Sequence, residues 1–257
     1  MLIDTHTHLN TDVFEADRDE MLQRARDAGV RSWISLGVDV ESSKQNIALA
    51  EQYDAFFVAA GIHPSEAHKT DTDYVDHIRT LSQHPKVVAI GEIGLDFYWD
   101  KSHHKEQYKV FRDMLDLGVE VERPVVIHNR DAMREMQWFF QEEKLYSVNG
   151  VMHCFAGNRI DARFYLDMDL HISFTANITY KNFDLDVVKY VPLDKILLET
   201  DSPYMAPQPF RQKRNEPAFV THVAEKLAEI HNVSYAEICD RTTKNARRLF
   251  NLPENLF

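Results

Sequence analysis

Six side chains of the types that bind metal ions each close a short apolar, strand-like run of this sequence. They are His6, His8, Glu92, His128, His153 and Asp201. The ligands of one metal centre must meet in space, and the carboxyl ends of parallel barrel strands bring distant parts of a chain together. The set therefore predicts a metal centre. The alternative is a coincidence of histidines and acids with separate structural roles.

The donor types and their spacing divide this set into two neighbouring positions. His6 and His8 are two residues apart, so in an extended chain both side chains point to one face. With Asp201 they would fill one position, and a bridging Glu92 would connect it to a second position formed with the other two histidines. Nitrogen and oxygen donors without a thiolate suit Mg²⁺, Mn²⁺, Zn²⁺ or Fe²⁺ and do not choose among them.

The chemistry expected of such a centre is hydrolysis. A bound divalent ion lowers the pKa of a water molecule and supplies hydroxide near neutral pH. We assign the catalytic roles to Asp201, as the general base that takes the proton of that water, and to Glu92, as the bridge. A second role stays open for Asp201, because residues 201–203 (Asp-Ser-Pro) also resemble the start of a helix.

Strand-like and helix-like segments alternate along the chain. Near-continuous apolar runs, typical of parallel strands buried on both faces, span residues 2–4, 32–37, 56–61, 87–91, 125–128, 150–153, 171–174 and 196–200. Helical periodicity falls at residues 17–29, 42–53, 72–83, 102–117, 131–143, 159–167, 185–190, 216–231, 234–240 and 243–250. The alternation predicts an α/β fold, a (β/α)8 TIM barrel with extra C-terminal helices. A doubly wound sheet is the alternative, but residues 91–94 (Gly-Glu-Ile-Gly) lack the GxGxxG pattern of nucleotide binding.

Composition limits the partners and the compartment. The 257 residues are 44% hydrophobic and contain no linker, so we expect a single domain over residues 1–257. A net charge of −12 argues against nonspecific binding along duplex DNA but allows an anionic substrate held by two divalent ions. Cys154 and Cys239 form no disulfide framework, and Cys154 is expected to pack. Without a visible signal peptide, membrane span or repeat, a cytoplasmic monomer with no obligate protein partner is expected.

Two basic features fall on the predicted active-site face. Arg130 lies two residues after His128 and could bind a phosphate oxygen, or form a surface ion pair with Asp131 or Glu135. The loop at residues 210–215 carries Arg211 and Lys213, which could contact a phosphate backbone or remain solvated. The aromatic residues 97–99 (Phe-Tyr-Trp) could stack on bases or pack beneath the loop, and packing is favoured for the first of them.

At these residues the sequence resembles the TatD-like metal-dependent deoxyribonucleases, which lie within the amidohydrolase-type barrels. The matching segments follow the family order along essentially the whole chain. They are residues 4–8 (DTHTH), 61–64 (GIHP), 91–96 (GEIGLD), 127–130 (IHNR), 153–157 (HCFAG), 199–204 (ETDSPY), 215–217 (NEP) and 243–246 (TKNA).

The resemblance implies a TIM barrel, a divalent metal site and phosphodiester hydrolysis, described in this family as deoxyribonuclease and often 3′→5′ exonuclease activity. It carries ligand roles onto the six residues named first. It also suggests that His63, Asp96, Arg130 and Glu199 support the ligands or contact substrate. Glu92 stands where related amidohydrolases use a carboxylated lysine, consistent with a carboxylate bridge.

Three functions compete at this stage. The first is a nuclease acting on single-stranded or frayed DNA ends, with Mg²⁺, Mn²⁺ or Zn²⁺ as the metal. The second is a hydrolase of another ester or amide, such as aminoacyl-tRNA, a lactone or a small phosphodiester, because the same activated water would serve all of them. The third, a nonenzymatic nucleic-acid-binding protein, is disfavoured by the negative charge and the complete ligand set.

Overall fold

Eight parallel strands form one sheet in chain order, with helices between them, which confirms the predicted TIM barrel. The structure is a computed structural model that describes residues 1–99 and 102–253. Its strands are β1 (Leu2–Thr7), β2 (Val30–Leu36), β3 (Phe56–Ala60), β4 (Val87–Asp96), β5 (Val125–Arg130), β6 (Gly150–Met152), β7 (His171–Phe174) and β8 (Ile196–Leu198). Its helices are α1 (Arg18–Asp27), α2 (Val40–Ala50), α3 (Tyr74–Ser82), α4 (His104–Glu120), α5 (Met133–Glu142), α6 (Arg159–Asp167), α7 (Leu185–Tyr190), α8 (Val220–His231) and α9 (Tyr235–Phe250). In the described part of the chain, no helix has the length and apolarity needed to cross a membrane.

Alternation along the strands builds two apolar layers. In β8, Leu197 belongs to one buried cluster while its neighbours Ile196 and Leu198 belong to the other. The larger cluster packs strand residues against the surrounding helices. The smaller one joins residues of seven strands to Leu249 and Phe250 of α9 and so fills the barrel. Because side chains alternate between faces, these seven strands contribute to both layers, whereas β7 contributes only to the larger one.

The carboxyl ends of β8 and β1 are joined by buried polar contacts. The Asp4 carboxylate accepts hydrogen bonds from the backbone N–H of Thr200 at 2.9 Å and from its hydroxyl at 2.6 Å. The Asn215 side-chain amide donates to the carbonyls of Thr200 at 2.8 Å and Tyr204 at 2.6 Å. The backbone N–H of Asp201 donates to the His6 carbonyl at 2.9 Å. These bonds hold the segment after β8 against the end of β1.

Several predicted boundaries are wrong. The strands predicted at residues 2–4 and 87–91 continue to Thr7 and Asp96, because polar side chains that point toward the site end the apolar run before the strand ends. The two C-terminal helices are one continuous helix, α9, since Thr242 and Thr243 at their junction are buried in it. No helix begins at Asp201 within the described residues; a turn in which the Tyr204 N–H donates to its carbonyl follows instead.

Gly94 allows β4 to approach β5 closely at His128. Its φ of +138° is a conformation that L side chains rarely adopt, and a Cβ there would overlap the carbonyl oxygen of His128. We expect Gly94→Ala to cost about 3 kcal/mol of unfolding free energy or more, since it combines backbone strain with overpacking against a backbone atom. Urea denaturation followed by circular dichroism measures this cost.

Gly29→Ala is the matched control for this prediction. Gly29 also has a positive φ, +90°, but no atom lies within 4 Å of the position its Cβ would take. Gly29→Ala should therefore add only backbone strain, which lowers the free energy of unfolding by about 1 kcal/mol. Equal losses in the two variants would contradict the close-approach account of Gly94.

Candidate metal centre

Residues from five strand ends converge at one end of the barrel. His6 lies in β1 and His8 follows it, Glu92 lies in β4, and His128 lies in β5. The other two predicted donors, His153 and Asp201, follow β6 and β8. All six side chains are at most 14% exposed. The structure therefore brings the predicted ligand set together, although its role in binding a metal stays a prediction.

Glu92 lies between two groups of donors. Its Oε2 atom is 3.4 Å from His6 Nε2 and 3.5 Å from His8 Nε2. Its Oε1 atom is 2.8 Å from His128 Nδ1 and 3.0 Å from His153 Nε2. Each carboxylate oxygen thus faces a different histidine pair, which is the arrangement that a bridging ligand requires.

Asp201 completes the group on the Oε2 side. Its Oδ1 atom is 3.4 Å from His8 Nε2 and 3.7 Å from His6 Nε2. Asp201 has a φ of +56°, an uncommon value for a residue other than glycine, and such backbone strain often marks functional sites. The strand end is bent there in a way that turns the carboxylate toward the histidines of β1.

The donor atoms fit divalent cations. His6 Nε2 and His8 Nε2 are 3.3 Å apart, and His128 Nδ1 and His153 Nε2 are 3.1 Å apart. Facing ring nitrogens beside a carboxylate oxygen need a proton or a cation between them, because their lone pairs otherwise repel. No lysine or arginine in the described ranges forms an ion pair with Glu92 or Asp201, so the carboxylates have only imidazoles as partners.

The electrostatics of the cluster favour added positive charge. Burial alone would raise the pKa of Glu92, but the surrounding imidazoles, that of His153 foremost, lower it well below its usual range. Burial likewise opposes ionisation of Asp201, whose pKa is nevertheless lowered by His8 and His6. Burial alone would lower the pKa of His153, and the Glu92 and Glu199 carboxylates raise it well above its ordinary value. Ionised carboxylates that draw protons onto nearby imidazoles also draw metal cations, which compete for the same nitrogens.

Further contacts orient the histidine rings. Asp96 Oδ2 lies 3.1 Å from His128 Nε2, and Glu199 Oε1 lies 3.4 Å from His153 Nδ1. The carbonyl oxygen of Leu36 lies 3.3 Å from His8 Nδ1. Such partners fix which ring nitrogen faces the centre, as is usual for metal-binding histidines. Two buried ring nitrogens, His6 Nδ1 and His153 Nδ1, have no hydrogen-bond partner among the described residues, so Glu199 acts on His153 at ion-pair distance.

His63 lies nearer to the centre than a supporting role requires. Its Nε2 atom is 3.6 Å from Glu92 Oε1, and His63, Glu92 and His128 form one of the groups whose donor atoms could share a metal ion. Burial lowers the pKa of His63 to about 3, so the imidazole stays neutral and keeps a lone pair. Its Nδ1 uses that lone pair to accept a hydrogen bond from the backbone N–H of Ser65 at 3.1 Å, so Nε2 carries the proton and directs it toward the Glu92 carboxylate.

A cleft with two lobes opens over these donors. One lobe, which we call the aromatic lobe, is a cavity of about 590 Å³ that Trp99, Tyr204 and Asn10 help to line. The other, which we call the basic lobe, is a cavity of about 620 Å³ whose lining includes Arg211 and Lys213. The two lobes share His128, Arg130, His153, Asp201 and Met205. Three of the six donors, His128, His153 and Asp201, therefore lie where the two lobes meet.

The surface ion pair of Arg130 with Asp131 or Glu135, one of the two alternatives for this residue, is not formed among the described residues. The exposed guanidinium lies over the Tyr98 ring, 4.0 Å from its centroid, and forms no ion pair in the described part of the chain. Phe97 instead stacks on His104, as the packing interpretation predicted, while Tyr98 and Trp99 remain exposed. Arg130 is thus positioned beside the cleft with its charge available.

The basic loop divides into anchoring and exposed residues. Arg214 forms a bidentate pair with Asp17, with both N–O distances 2.7 Å, and this pair holds the pKa of Asp17 down at about 2. Arg211 lies over the Tyr180 ring at 4.3 Å, and Lys213 lies 5.5 Å from the Phe210 centroid. Arg211 and Lys213 make no ion pair within the described residues, so their charges face the basic lobe.

Several lining residues were not anticipated from sequence. Asn10 and Tyr204 line the aromatic lobe, and Asn177 and Tyr180 line the basic lobe. Tyr204 lies inside the motif at residues 199–204 and could have been found there. The others follow β1 and β7 in segments with no charged signal. Cys154 was expected to pack; its thiol contacts Thr175 and Met205, and its backbone N–H donates to Glu199 Oε1 at 2.6 Å.

Imidazole and carboxylate donors that converge at the carboxyl ends of a parallel eight-stranded barrel are typical of metal-dependent hydrolases. The comparisons with known proteins narrow this class. The chain belongs to the TatD-related DNase family, whose model matches residues 3–251, and it is a metal-dependent hydrolase.

The similarity to known relatives and to a solved structure extends over nearly the full length of this chain. The metal-dependent hydrolase YabD of Bacillus subtilis is 42% identical over 98% of this chain and 100% of its own length. A protein of Pantoea vagans named 3′-5′ ssDNA/RNA exonuclease TatD is 34% identical over 98% of this chain and 100% of its own. The crystal structure of YjjV, a TatD homologue from Escherichia coli K12, superposes with a TM-score of 0.92 at 31% identity, covering 98% of both chains.

Replacing Glu92 by glutamine tests its bridging position. Glu92→Gln keeps the side-chain volume but removes the charge between the two histidine pairs, so we expect metal content to fall from about two ions per chain to one or none. Elemental analysis after equilibration with Mn²⁺ and desalting measures the content, and circular dichroism checks the fold. Glu229→Gln, which changes an exposed pair with Lys226 and lines neither lobe of the cleft, is the control. Unchanged metal content in Glu92→Gln would contradict the bridge.

Proposed function

We propose that this protein is a nuclease that removes nucleotides from the 3′ ends of single-stranded or frayed DNA, with two divalent ions held by the six donor residues. The position of Glu92 carries the proposal, because each of its oxygens faces a separate group of donors. Paired divalent ions suit phosphodiester hydrolysis, in which the attacking and the leaving oxygen both need stabilisation. The donor set suits Mg²⁺, Mn²⁺ or Zn²⁺ and does not choose among them.

The residues of the centre divide the work of hydrolysis. When bound, divalent ions would polarise the phosphodiester and lower the pKa of a water molecule. Asp201 would take the proton released from that water, because its lowered pKa keeps it ionised at neutral pH and its carboxylate faces the cleft. Glu92 would bridge the two groups of donors and so fix the distance between the two bound ions. Asp96 and Glu199 would keep His128 and His153 oriented.

Three cationic side chains that line the cleft favour a phosphate-bearing substrate. Arg130, Arg211 and Lys213 line the cleft without forming ion pairs among the described residues, although the chain as a whole carries a net charge of −12. Guanidinium groups suit phosphate oxygens. The Pantoea vagans relative, named as an exonuclease of single-stranded DNA and RNA, supports the same choice of substrate. We therefore assign the basic lobe to the strand that remains after cleavage.

Action at a strand end follows from burial of the donors. Glu92 and His6 are almost fully buried, so a scissile phosphate must pass between the lobes to reach them. A terminal nucleotide can enter the cleft directly, whereas an internal one requires the strand to be threaded past the donors. Paired bases would resist this entry. We expect an exonuclease that acts in the cytoplasm as a monomer.

A time course on 5′-labelled single-stranded DNA tests the proposed activity. With Mn²⁺ or Mg²⁺ we expect a ladder that shortens from the 3′ end, and no cleavage with EDTA or with Glu92→Gln, which lacks the charged bridge. Loss of the label as a mononucleotide would contradict the polarity. No cleavage of DNA by metal-loaded protein that hydrolyses a small phosphodiester would overturn the nuclease proposal.

Removing the two exposed charges of the basic loop tests substrate contact. We expect the double variant Arg211→Ala, Lys213→Ala to raise KM for single-stranded DNA roughly fivefold to tenfold, since each exposed charged contact contributes about 0.5–0.7 kcal/mol. kcat should stay unchanged, because neither side chain contacts the donors. KM for a small p-nitrophenyl phosphodiester, too short to reach the loop, should also stay unchanged.

A matched pair of charges serves as the control for this loop experiment. Lys44→Ala with Arg163→Ala removes two exposed cations that line neither lobe of the cleft. This variant should cleave DNA as the wild type does. Equal effects of the loop variant on DNA and on the small phosphodiester would count against the phosphate contact.

A further inference from the structure

We propose that Trp99 is the surface on which the base of the terminal nucleotide stacks, and that this contact makes the enzyme select unpaired ends. The inference deepens the proposed nuclease function and rests on it. It assigns the aromatic lobe to a nucleobase, a ligand that presents a flat π-surface and no charge.

The aromatic side chains beside the centre stay in contact with water. Trp99, which lies at the edge of the cleft, is 70% exposed, and its neighbour Tyr98 is 48% exposed. Trp99 lines the aromatic lobe together with His63 and Arg130. Large aromatic side chains usually bury most of their surface, so an exposed one beside a polar centre indicates a partner that covers it. Aromatic side chains are the surfaces on which single-stranded nucleic acids stack their bases.

The turn that carries these rings is fastened to the donor cluster. Asp96 Oδ1 accepts hydrogen bonds from the backbone N–H groups of Tyr98 at 3.0 Å and Trp99 at 2.9 Å. Its other oxygen, Oδ2, lies 3.1 Å from His128 Nε2. One carboxylate therefore sets the position of both the aromatic turn and a predicted ligand. A base stacked on Trp99 would be held at a fixed place relative to the scissile bond.

Arg130 places a cation beside the same rings. Its guanidinium carbon lies 4.0 Å from the Tyr98 centroid and 5.3 Å from the Trp99 centroid. A nucleotide joins a flat base to a phosphate, and here an aromatic ring lies next to a guanidinium that is exposed and makes no ion pair among the described residues. The geometry matches one nucleotide, with its phosphate at Arg130 and its base on Trp99.

The charges of the two lobes set the direction of the strand. Apart from histidines, Arg130 is the one cationic side chain among the described lining residues of the aromatic lobe, whereas the basic lobe adds Arg211 and Lys213. The remaining strand carries a phosphate at every nucleotide and fits the basic lobe. The terminal nucleotide brings only the scissile phosphate and fits the aromatic lobe. Its base can lie on Trp99 only if it is not paired or stacked within a duplex.

An abasic end separates stacking from other roles of Trp99. We would compare wild type, Trp99→Ala and Trp99→Phe on one single-stranded oligonucleotide that ends either in thymine or in an abasic residue at its 3′ end. We expect Trp99→Ala to lower kcat/KM about tenfold on the thymine end and to leave the abasic end unchanged, since one stacked base contributes about 1–3 kcal/mol. Trp99→Phe should recover part of the loss.

Trp138→Ala is the matched control, because Trp138 is 55% exposed on α5 and lines neither lobe. It should match the wild type on both ends. Quenching of tryptophan fluorescence by the thymine-ended oligonucleotide in EDTA, where no cleavage is expected, should be lost in Trp99→Ala and kept in Trp138→Ala. This second readout reports binding without turnover.

The outcomes distinguish this inference from the nuclease proposal. If the wild type shortens both oligonucleotides and Trp99→Ala shortens both at the same rate, the proposed stacking on Trp99 is wrong, whereas the nuclease proposal is supported. If Trp99→Ala loses the same factor on both ends, Trp99 supports the turn rather than the base, and the inference is again overturned. If metal-loaded wild type shortens neither, the nuclease proposal itself fails.

Discussion

The contact of one carboxylate with two histidine pairs is the interaction on which the rest of the structure depends. Glu92 is buried, and its pKa is held well below the usual range by imidazoles although burial opposes ionisation. A charge of this kind is costly in an apolar interior unless cations or hydrogen-bond donors surround it. The barrel supplies donors from separate strands around this one side chain, and bound divalent cations would complete the balance of charge.

The barrel makes that contact possible by fixing strand ends against one another. Gly94 lets β4 approach β5 at His128, and Asp4 fastens β1 to the segment that carries Asp201. Asp96 connects the donor cluster to the cleft. One of its carboxylate oxygens contacts His128, and the other accepts hydrogen bonds from the turn that carries Tyr98 and Trp99. The predicted ligand His128 and the proposed stacking residue Trp99 are therefore positioned by the same carboxylate.

The sequence was sufficient for the fold and for the positions of the donors. Buried parallel strands appear in the sequence as apolar runs. A polar residue at the end of such a run, such as His128, is therefore easy to recognise as a candidate ligand. The full length of β4 was hidden, because Glu92 and Asp96 interrupt its apolar pattern while remaining in the strand. The stacking of Arg130 on Tyr98 and the pairing of Arg214 with Asp17 depend on distant segments meeting. Local patterns carry no signal for such contacts.

Anomalous diffraction from crystals grown with Mn²⁺ would test the central claim most directly. The account predicts two anomalous peaks, one beside each carboxylate oxygen of Glu92. One peak should lie among His6, His8 and Asp201. The other should lie between His128 of β5 and His153, which follows β6. A single peak remote from Glu92, or no peak among these side chains in metal-loaded, folded protein, would contradict the bridged centre.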